Sequence, residues 1–229
     1  MSQPRLVWDW PTRAFHWLLT LSLCGSWATA EAGFEWIDTH NLLGYTALTL
    51  IFFRILWGLF GTRYARFKAF VTGPSTVVAT LPKLFSRSPA IDIGHNPIGG
   101  WSVLLFLVLV FVQASTGLFI SDDVMHVGPY NHTIGSDLAG KLAQIHHLNF
   151  TALQGCVAVH ILAIAWYRFG KRTDLVSPMI TGRKAHIDPT QSIGSSETYR
   201  ALICLAIAVA LITALIQLAP EPTFDDFMF

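Results

Sequence analysis

Three of the chain's histidines lie in a single apolar stretch, residues 143–169. As a helix rising about 1.5 Å per residue, this stretch is long enough to cross a bilayer. His146 and His160 are 14 positions apart, so they share nearly one helix face and lie about 21 Å apart along the axis. Ionisable side chains at membrane depth are costly and usually functional. The stretch therefore predicts a membrane helix with one histidine near each side of the bilayer.

The composition is typical of an integral membrane protein. Of 229 residues, 52% are hydrophobic and only 13% are charged, with a net charge of +1. The three cysteines lie in apolar runs and form no CxxC motif, so nothing supports a disulfide framework, a zinc site or covalently attached c-type haem. The first apolar run has no small-residue cleavage site after it, so we expect no cleavable signal peptide.

The apolar runs predict an all-α integral membrane protein with five transmembrane helices. We expect four of them to form a bundle within residues 1–184, and residues 185–229 to hold a linker, a fifth C-terminal helix and an acidic tail. An amphipathic stretch after Pro74 predicts an interfacial helix, which Pro82 weakens. Trp8, Trp10 and Trp17 predict an interfacial aromatic belt. The predicted spans are 14–30, 40–60, 100–120, 143–168 and 201–219.

The charges alternate between the connections and predict the topology. Of 15 Lys and Arg residues, all but Lys141 lie in or next to the N-terminal segment, the second-to-third connection or the fourth-to-fifth connection. The positive-inside rule places these segments in the cytoplasm. The N-terminus is then cytoplasmic, and the acidic connections and the C-terminus lie outside. The aspartates of the third-to-fourth connection are Asp122, Asp123 and Asp137.

With this topology, four histidines pair at two depths. His40 and His146 meet near the outer side and are called the outer pair; His16 and His160 meet near the cytoplasmic side and are called the inner pair. Two facing imidazoles in a dry bundle suit the axial positions of a b-type haem iron held without covalent attachment. Zinc would need four ligands close together, which two pairs about 21 Å apart do not provide.

Weaker signals surround these histidines. Gly44 comes one turn after His40, where a missing side chain would let a flat macrocycle approach; Gly117 and Gly155 suit the same role or helix–helix contact. Arg54 shares the face of His40 and reaches the inner level. It could neutralise a haem propionate or extend to the cytoplasmic interface.

The remaining histidines have less definite positions. His95 and Asn96 border the third span on the inner side, where they could touch a propionate or a quinone head group, or act as an interfacial cap. His147 faces away from the histidine stripe and is expected to support the site from outside or to lie at the interface. We assign no role to the loop histidines His126, His132 and His186.

Several stretches carry a family resemblance. TRAFHWLLTLSL, HNLLGYTALTLIFFRILWGLFGTRYARF, GHNPIGGWSVLLFLVLVFVQASTGLF, HHLNF, VAVH and LVSPMITGRK resemble the bacterial cytochrome b561 and nickel–iron hydrogenase-type cytochrome b family, over about residues 5–184. The resemblance implies a four-helix haem-binding bundle in the bacterial inner membrane, with two b-type haems held by His16, His40, His146 and His160. The fifth span is an addition to the minimal form.

Three functions remain open at this point. The resemblance implies electron transfer across the membrane between quinone and a periplasmic redox protein such as a c-type cytochrome, with lipid as the surroundings and no nucleic acid. A superoxide oxidase that reduces quinone is the alternative, and whether the chain is an enzyme stays open. Lys141 as the only outer lysine disfavours steering of an anion. A transporter or assembly factor is less favoured, because the span interiors contain no Asp or Glu.

Overall fold

The computed structural model of the chain describes residues 4–88, 92–121, 127–185 and 187–220. Four positions weighed above, Asp122, Asp123, His126 and His186, lie outside the described residues, and so does most of the acidic tail. The described part is mostly helical, as expected. The long helices are α1 (Trp10–Ala32), α2 (Ile37–Phe60), α4 (Pro97–Gly117), α5 (Ser136–Ala165) and α7 (Thr198–Gln217), and the shorter ones are α3 (Pro74–Phe85) and α6 (Val176–Thr181).

Local sequence explains where two of these helices begin. Asp9 precedes α1 and accepts a hydrogen bond from the backbone N–H of Thr12 at 2.7 Å; Asn96 precedes α4 and accepts one from Gly99 at 2.6 Å. A proline lies in the first turn after each cap, as Pro11 in α1 and Pro97 in α4, where its missing N–H costs nothing. Asn96 is therefore a helix cap, as one interpretation of the sequence held.

Four helical stretches are long and apolar enough to cross a membrane: Phe34–Phe60, Pro97–Gly117, Ser136–Gly170 and Thr198–Gln217. They correspond to the second to fifth predicted spans. Helix α1 has 23 residues, enough for a bilayer, but it is not among these four. A multi-pass membrane fold is thus supported, and the count of five spans stays a prediction.

Helix α2 is the centre of the bundle. It packs along α1, α4 and α7, and its inward side chains form most of the apolar core, with Ile51 and Trp57 completely buried. Helix α5 packs closely along α4, but in the described residues it does not pack closely along α1 or α2. Many large apolar side chains on the outer faces are exposed, as expected where lipid covers them.

One end of the bundle gathers the basic segments; we call it the basic end (residues 4–9, 61–96 and 171–197). Here β1 (Arg5–Leu6) pairs antiparallel with β2 (Arg183–Lys184). Asp9, at the start of α1, accepts hydrogen bonds from the Trp57 indole and the Thr62 hydroxyl, near the end of α2. Consecutive long helices therefore run in opposite directions.

The tryptophan belt is only partly as predicted. Trp8 is buried, with 8% of its surface exposed, and its ring packs against His95; its assignment to the interface was wrong. Trp10 and Trp17 are more exposed, and their indole N–H groups donate to the Thr198 hydroxyl and the Met179 carbonyl. The difference arises because pairing of β1 with β2 and the hydrogen bond from the Trp8 backbone N–H to the Gly182 carbonyl hold Trp8 inside the basic end.

The amphipathic stretch forms a helix, as predicted. Helix α3 continues through Pro82 and has no buried side chain. Val78, Leu81 and Phe85 are all exposed. Such an apolar face is typical of a helix lying at a membrane surface.

Candidate functional site

The two rings of the outer pair lie near each other across the bundle, edge to face. His40 is in the first turn of α2 and His146 is on α5, and their ring centres are 6.5 Å apart with the rings inclined by 60°. Both side chains are partly buried. The two imidazoles thus meet as the helical phase and charge pattern predicted.

Each ring of the outer pair is held by a hydrogen bond at its own Nδ1 atom. His40 donates from Nδ1 to the Ser26 carbonyl at 2.8 Å. The Thr116 hydroxyl donates to the Val112 carbonyl at 2.8 Å, so its oxygen is left to accept from His146 Nδ1 at 3.1 Å. Because Nδ1 carries the proton in both rings, each Nε2 keeps a free lone pair, as in histidines that bind a metal.

The inner pair is close but held differently. His16 on α1 and His160 on α5 are near enough to interact electrostatically. The His16 ring lies edge-on to Trp17, with ring centres 4.9 Å apart, and the His160 ring lies edge-on to Phe106 at 5.6 Å. His16 Nδ1 is buried and has no hydrogen-bond partner in the described residues. Aromatic packing, rather than hydrogen bonding, therefore orients these rings.

Open space accompanies both pairs. Since α5 packs on α4 and stands away from α1 and α2, the histidines face one another across a gap. Gly44 and Gly155 both border open space, because a Cβ added at either would meet no atom within 4 Å. A Cβ at Gly117 would lie 3.5 Å from the His146 ring, so a side chain at this position would contact the outer pair.

Arg54 is buried inside the bundle rather than extended to the interface. It is only 2% exposed, and its guanidinium carbon lies 5.2–6.0 Å from the ring centres of Phe15, Phe67 and Phe70. Its Nη1 has no hydrogen-bond partner in the described residues. The prediction that Arg54 extends to the interface is therefore wrong. Its buried guanidinium has an unused donor and lies beside Phe15, the residue before His16.

His95 completes this polar region at the basic end. Its ring lies between Trp8 and Phe70, with ring centres 4.7 and 4.8 Å away, and its buried Nδ1 has no partner in the described residues. Burial, and then the positive charges of Arg54 and Lys184, lower the pKa of His95 to about 3. The imidazole is therefore neutral at physiological pH.

Other predicted residues contribute less. The Asn96 side chain donates to the Tyr167 hydroxyl at 2.6 Å besides capping α4. His147 is exposed, with its ring centre 6.0 Å from that of His146. Sequence reasoning missed Ser26 and Thr116. Thr116 could have been noticed as a polar residue in an apolar helix. No sequence signal shows that the backbone carbonyl of Ser26 accepts a hydrogen bond from His40.

The outer site fits a flat metal cofactor. A metal ion held between two imidazoles would place their ring centres about 6 Å apart, because a metal–nitrogen bond is about 2 Å long and each ring centre lies about 1 Å behind its nitrogen. The observed 6.5 Å, the free Nε2 atoms and the adjoining gap all suit a haem. Among the described residues, no three His, Cys, Asp or Glu side chains converge on a point.

Comparison with known proteins finds one family. The family model described as prokaryotic cytochrome b561 matches residues 7–182, which include all four paired histidines. Among curated proteins and among solved structures, nothing matches the chain significantly.

Proposed function

Because the chain belongs to the prokaryotic cytochrome b561 family, whose members are membrane cytochromes that bind b-type haem and transfer electrons, we propose that it holds two such haems. The outer pair, His40 and His146, would bind one, and the inner pair, His16 and His160, the other. The chain would then pass electrons across the membrane between quinone and a redox protein on the acidic side.

The observation that carries the proposal is the geometry of the outer pair. The outer ring centres lie 6.5 Å apart, a separation at which the two imidazoles would hold one iron between them. The hydrogen bonds at Nδ1 from His40 to Ser26 and from His146 to Thr116 fix the tautomers and raise the basicity of both rings. A bound haem supplies an iron that accepts and releases one electron at a time.

The protein's own part is to hold the rings and exclude water. A gap separates α5 from α1 and α2, and the rings of His40 and His146 approach each other across it. Open space at Gly44 and Gly155 leaves room for the macrocycle. The large apolar residues of the core around α2 keep the surroundings dry, and a dry environment tunes the reduction potential.

Arg54 supports the inner site. A buried guanidinium with an unused donor needs an anion. The charge of Asp9 acts on Arg54, but the Asp9 carboxylate already accepts hydrogen bonds from Thr12, Trp57 and Thr62. A haem propionate would supply the missing charge. Phe15, whose ring contacts the guanidinium, directly precedes His16, so Arg54 lies at the inner level.

The acidic outer connections support a basic protein as the electron partner. The acidic connections on the outer side, including Asp137, would suit a basic protein such as a c-type cytochrome. Docking of this kind predicts an electron-transfer rate that falls as salt is added. A rate that ignores salt would contradict this partner.

A haem assay tests the central proposal. The purified protein, converted to its pyridine haemochrome, should contain two b-type haems per chain, and its spectrum should be that of six-coordinate low-spin haem. One haem or none would contradict the two-site arrangement. Rapid reduction of the protein by superoxide in a stopped-flow instrument would favour the superoxide oxidase alternative over a protein partner.

A further inference from the structure

Two adjoining cavities lie between α2 and α7 at the basic end. The first has a volume of about 420 Å³. Its walls come from the segment after α2 and the segment before α7. The side chains that matter here are polar or charged: Arg63, Arg66, Ser192, Ser195, Glu197 and Arg200.

The second cavity continues the first toward the middle of the membrane. It has a volume of about 470 Å³. Its walls are apolar, with Leu56 and Leu59 from α2 and Ile203 and Ile207 from α7. Arg66 and Arg200 line both cavities, so two guanidiniums lie where the polar space meets the apolar space.

The polar cavity carries a net positive charge. Three arginines face one carboxylate, Glu197, which lies 3.6 Å from Arg200 Nε. Arg66 uses its Nε for the Gly61 carbonyl at 2.7 Å, which holds its guanidinium at the wall. The surplus of cations favours an anionic occupant over a neutral one such as a quinone head group.

We propose that the two cavities bind one anionic phospholipid from the surrounding leaflet. The phosphate would lie among Arg63, Arg66 and Arg200, and an acyl chain would lie along the apolar groove between α2 and α7. Basic pockets between transmembrane helices recognise anionic headgroups in this way. The lipid would join α7 to the rest of the bundle, because α2 and α7 both line the apolar cavity.

Lipid binding can be measured on the full-length protein in detergent. Phosphatidylglycerol should be retained through washing and detected by native mass spectrometry, with an affinity at least about tenfold above that of phosphatidylcholine. Glycerol phosphate and inorganic phosphate, which lack an acyl chain, should not compete. Equal retention of the two lipids, or competition by either soluble phosphate, would overturn the proposal.

Paired variants locate the site. The double variant Arg63→Gln and Arg200→Gln should weaken phosphatidylglycerol binding about tenfold or more. The control double variant Lys68→Gln and Arg168→Gln removes the same charge near the same end, but neither residue lines the cavities. It should leave lipid binding unchanged. An equal loss in both double variants would show diffuse attraction and would overturn the site.

The groove has its own control. Ile207→Trp should fill the apolar cavity and weaken lipid binding, while Leu202→Trp, on the same helix but outside both cavities, should not. Both residues are about half exposed, at 51% and 52%, so neither change needs to disturb the core. A single gel-filtration peak establishes that each variant is folded. Binding unaffected by Ile207→Trp would overturn the placement of the chain.

Discussion

The outer and inner histidine pairs each have one member on α5, His146 and His160, yet the two pairs are held by different interactions. The outer rings are fixed by hydrogen bonds to a carbonyl and a hydroxyl. The inner rings pack against aromatic neighbours, and the buried Nδ1 of His16 has no hydrogen-bond partner in the described part of the chain. The outer site is therefore organised before a cofactor arrives, whereas the inner site depends more on the cofactor and on the charges near it.

The largest effect should come from removing a ligand. His146→Ala should cost the outer haem and about half of the total haem, and His160→Ala should cost the inner one, because an iron loses one of its two axial ligands. The pyridine haemochrome assay gives the content of each variant. His147→Ala is the matched control, since this neighbour is exposed, and it should keep both haems. Unchanged haem in both ligand variants would contradict the assignment.

The hydrogen bond to the outer pair can be broken alone. Thr116→Val removes the acceptor of the His146 Nδ1 proton, so the outer haem should bind roughly 10–100-fold more weakly while the inner one is unaffected. Haem titration of the apoprotein measures this. Thr49→Val removes a similar threonine whose hydroxyl donates to the helix carbonyl of Tyr45, and it should have no effect. If both variants behave alike, the hydroxyl does not hold the ring.

Acid should weaken the basic end. His95 has a pKa of about 3 in the folded protein against about 6.5 in the unfolded chain, so between these values the unfolded state binds more protons. Stability should therefore fall as pH drops below 6.5, by up to about 1.4 kcal/mol per pH unit from this group.

His95→Gln should flatten that dependence. Thermal unfolding of the two proteins at pH 7.5 and pH 5 makes the comparison, and the variant should lose less stability between them. Parallel losses would show that the acid sensitivity originates elsewhere.

The smallest effect concerns the inner potential. Arg54→Met removes a buried positive charge, so the inner haem should become harder to reduce by on the order of tens of millivolts, with less change at the outer haem. Redox titration followed by absorbance separates the two. Arg168→Gln removes an exposed arginine paired with Asp174 and should shift neither potential. Equal shifts at both haems would place Arg54 away from the inner site.

Much of the fold follows from patterns within single segments. Apolar length predicts the helices that can cross a membrane, and the cap at Asn96 follows from its residue type. The phase of His146 and His160 follows from their spacing along one helix. These features depend on neighbours close in sequence, which is why they could be predicted.

The burial of Trp8 and Arg54 could not be predicted in this way. An aromatic residue near a span and an arginine near a helix end are both typical of an interface. Trp8 is enclosed because β1 pairs with β2 across most of the chain, and Arg54 is enclosed by rings from Phe15, Phe67 and Phe70. Both outcomes depend on segments far apart in sequence.

By itself, then, the sequence determined the membrane-type composition, the helical lengths, the alternation of charge and the shared face of two histidines, because each is set by residue type and helical period. Only the tertiary structure decided how far apart the outer rings lie, which nitrogen of each outer ring is hydrogen-bonded and where α5 stands apart from α1 and α2. Those features need distances between helices, and helical period carries no information about such distances.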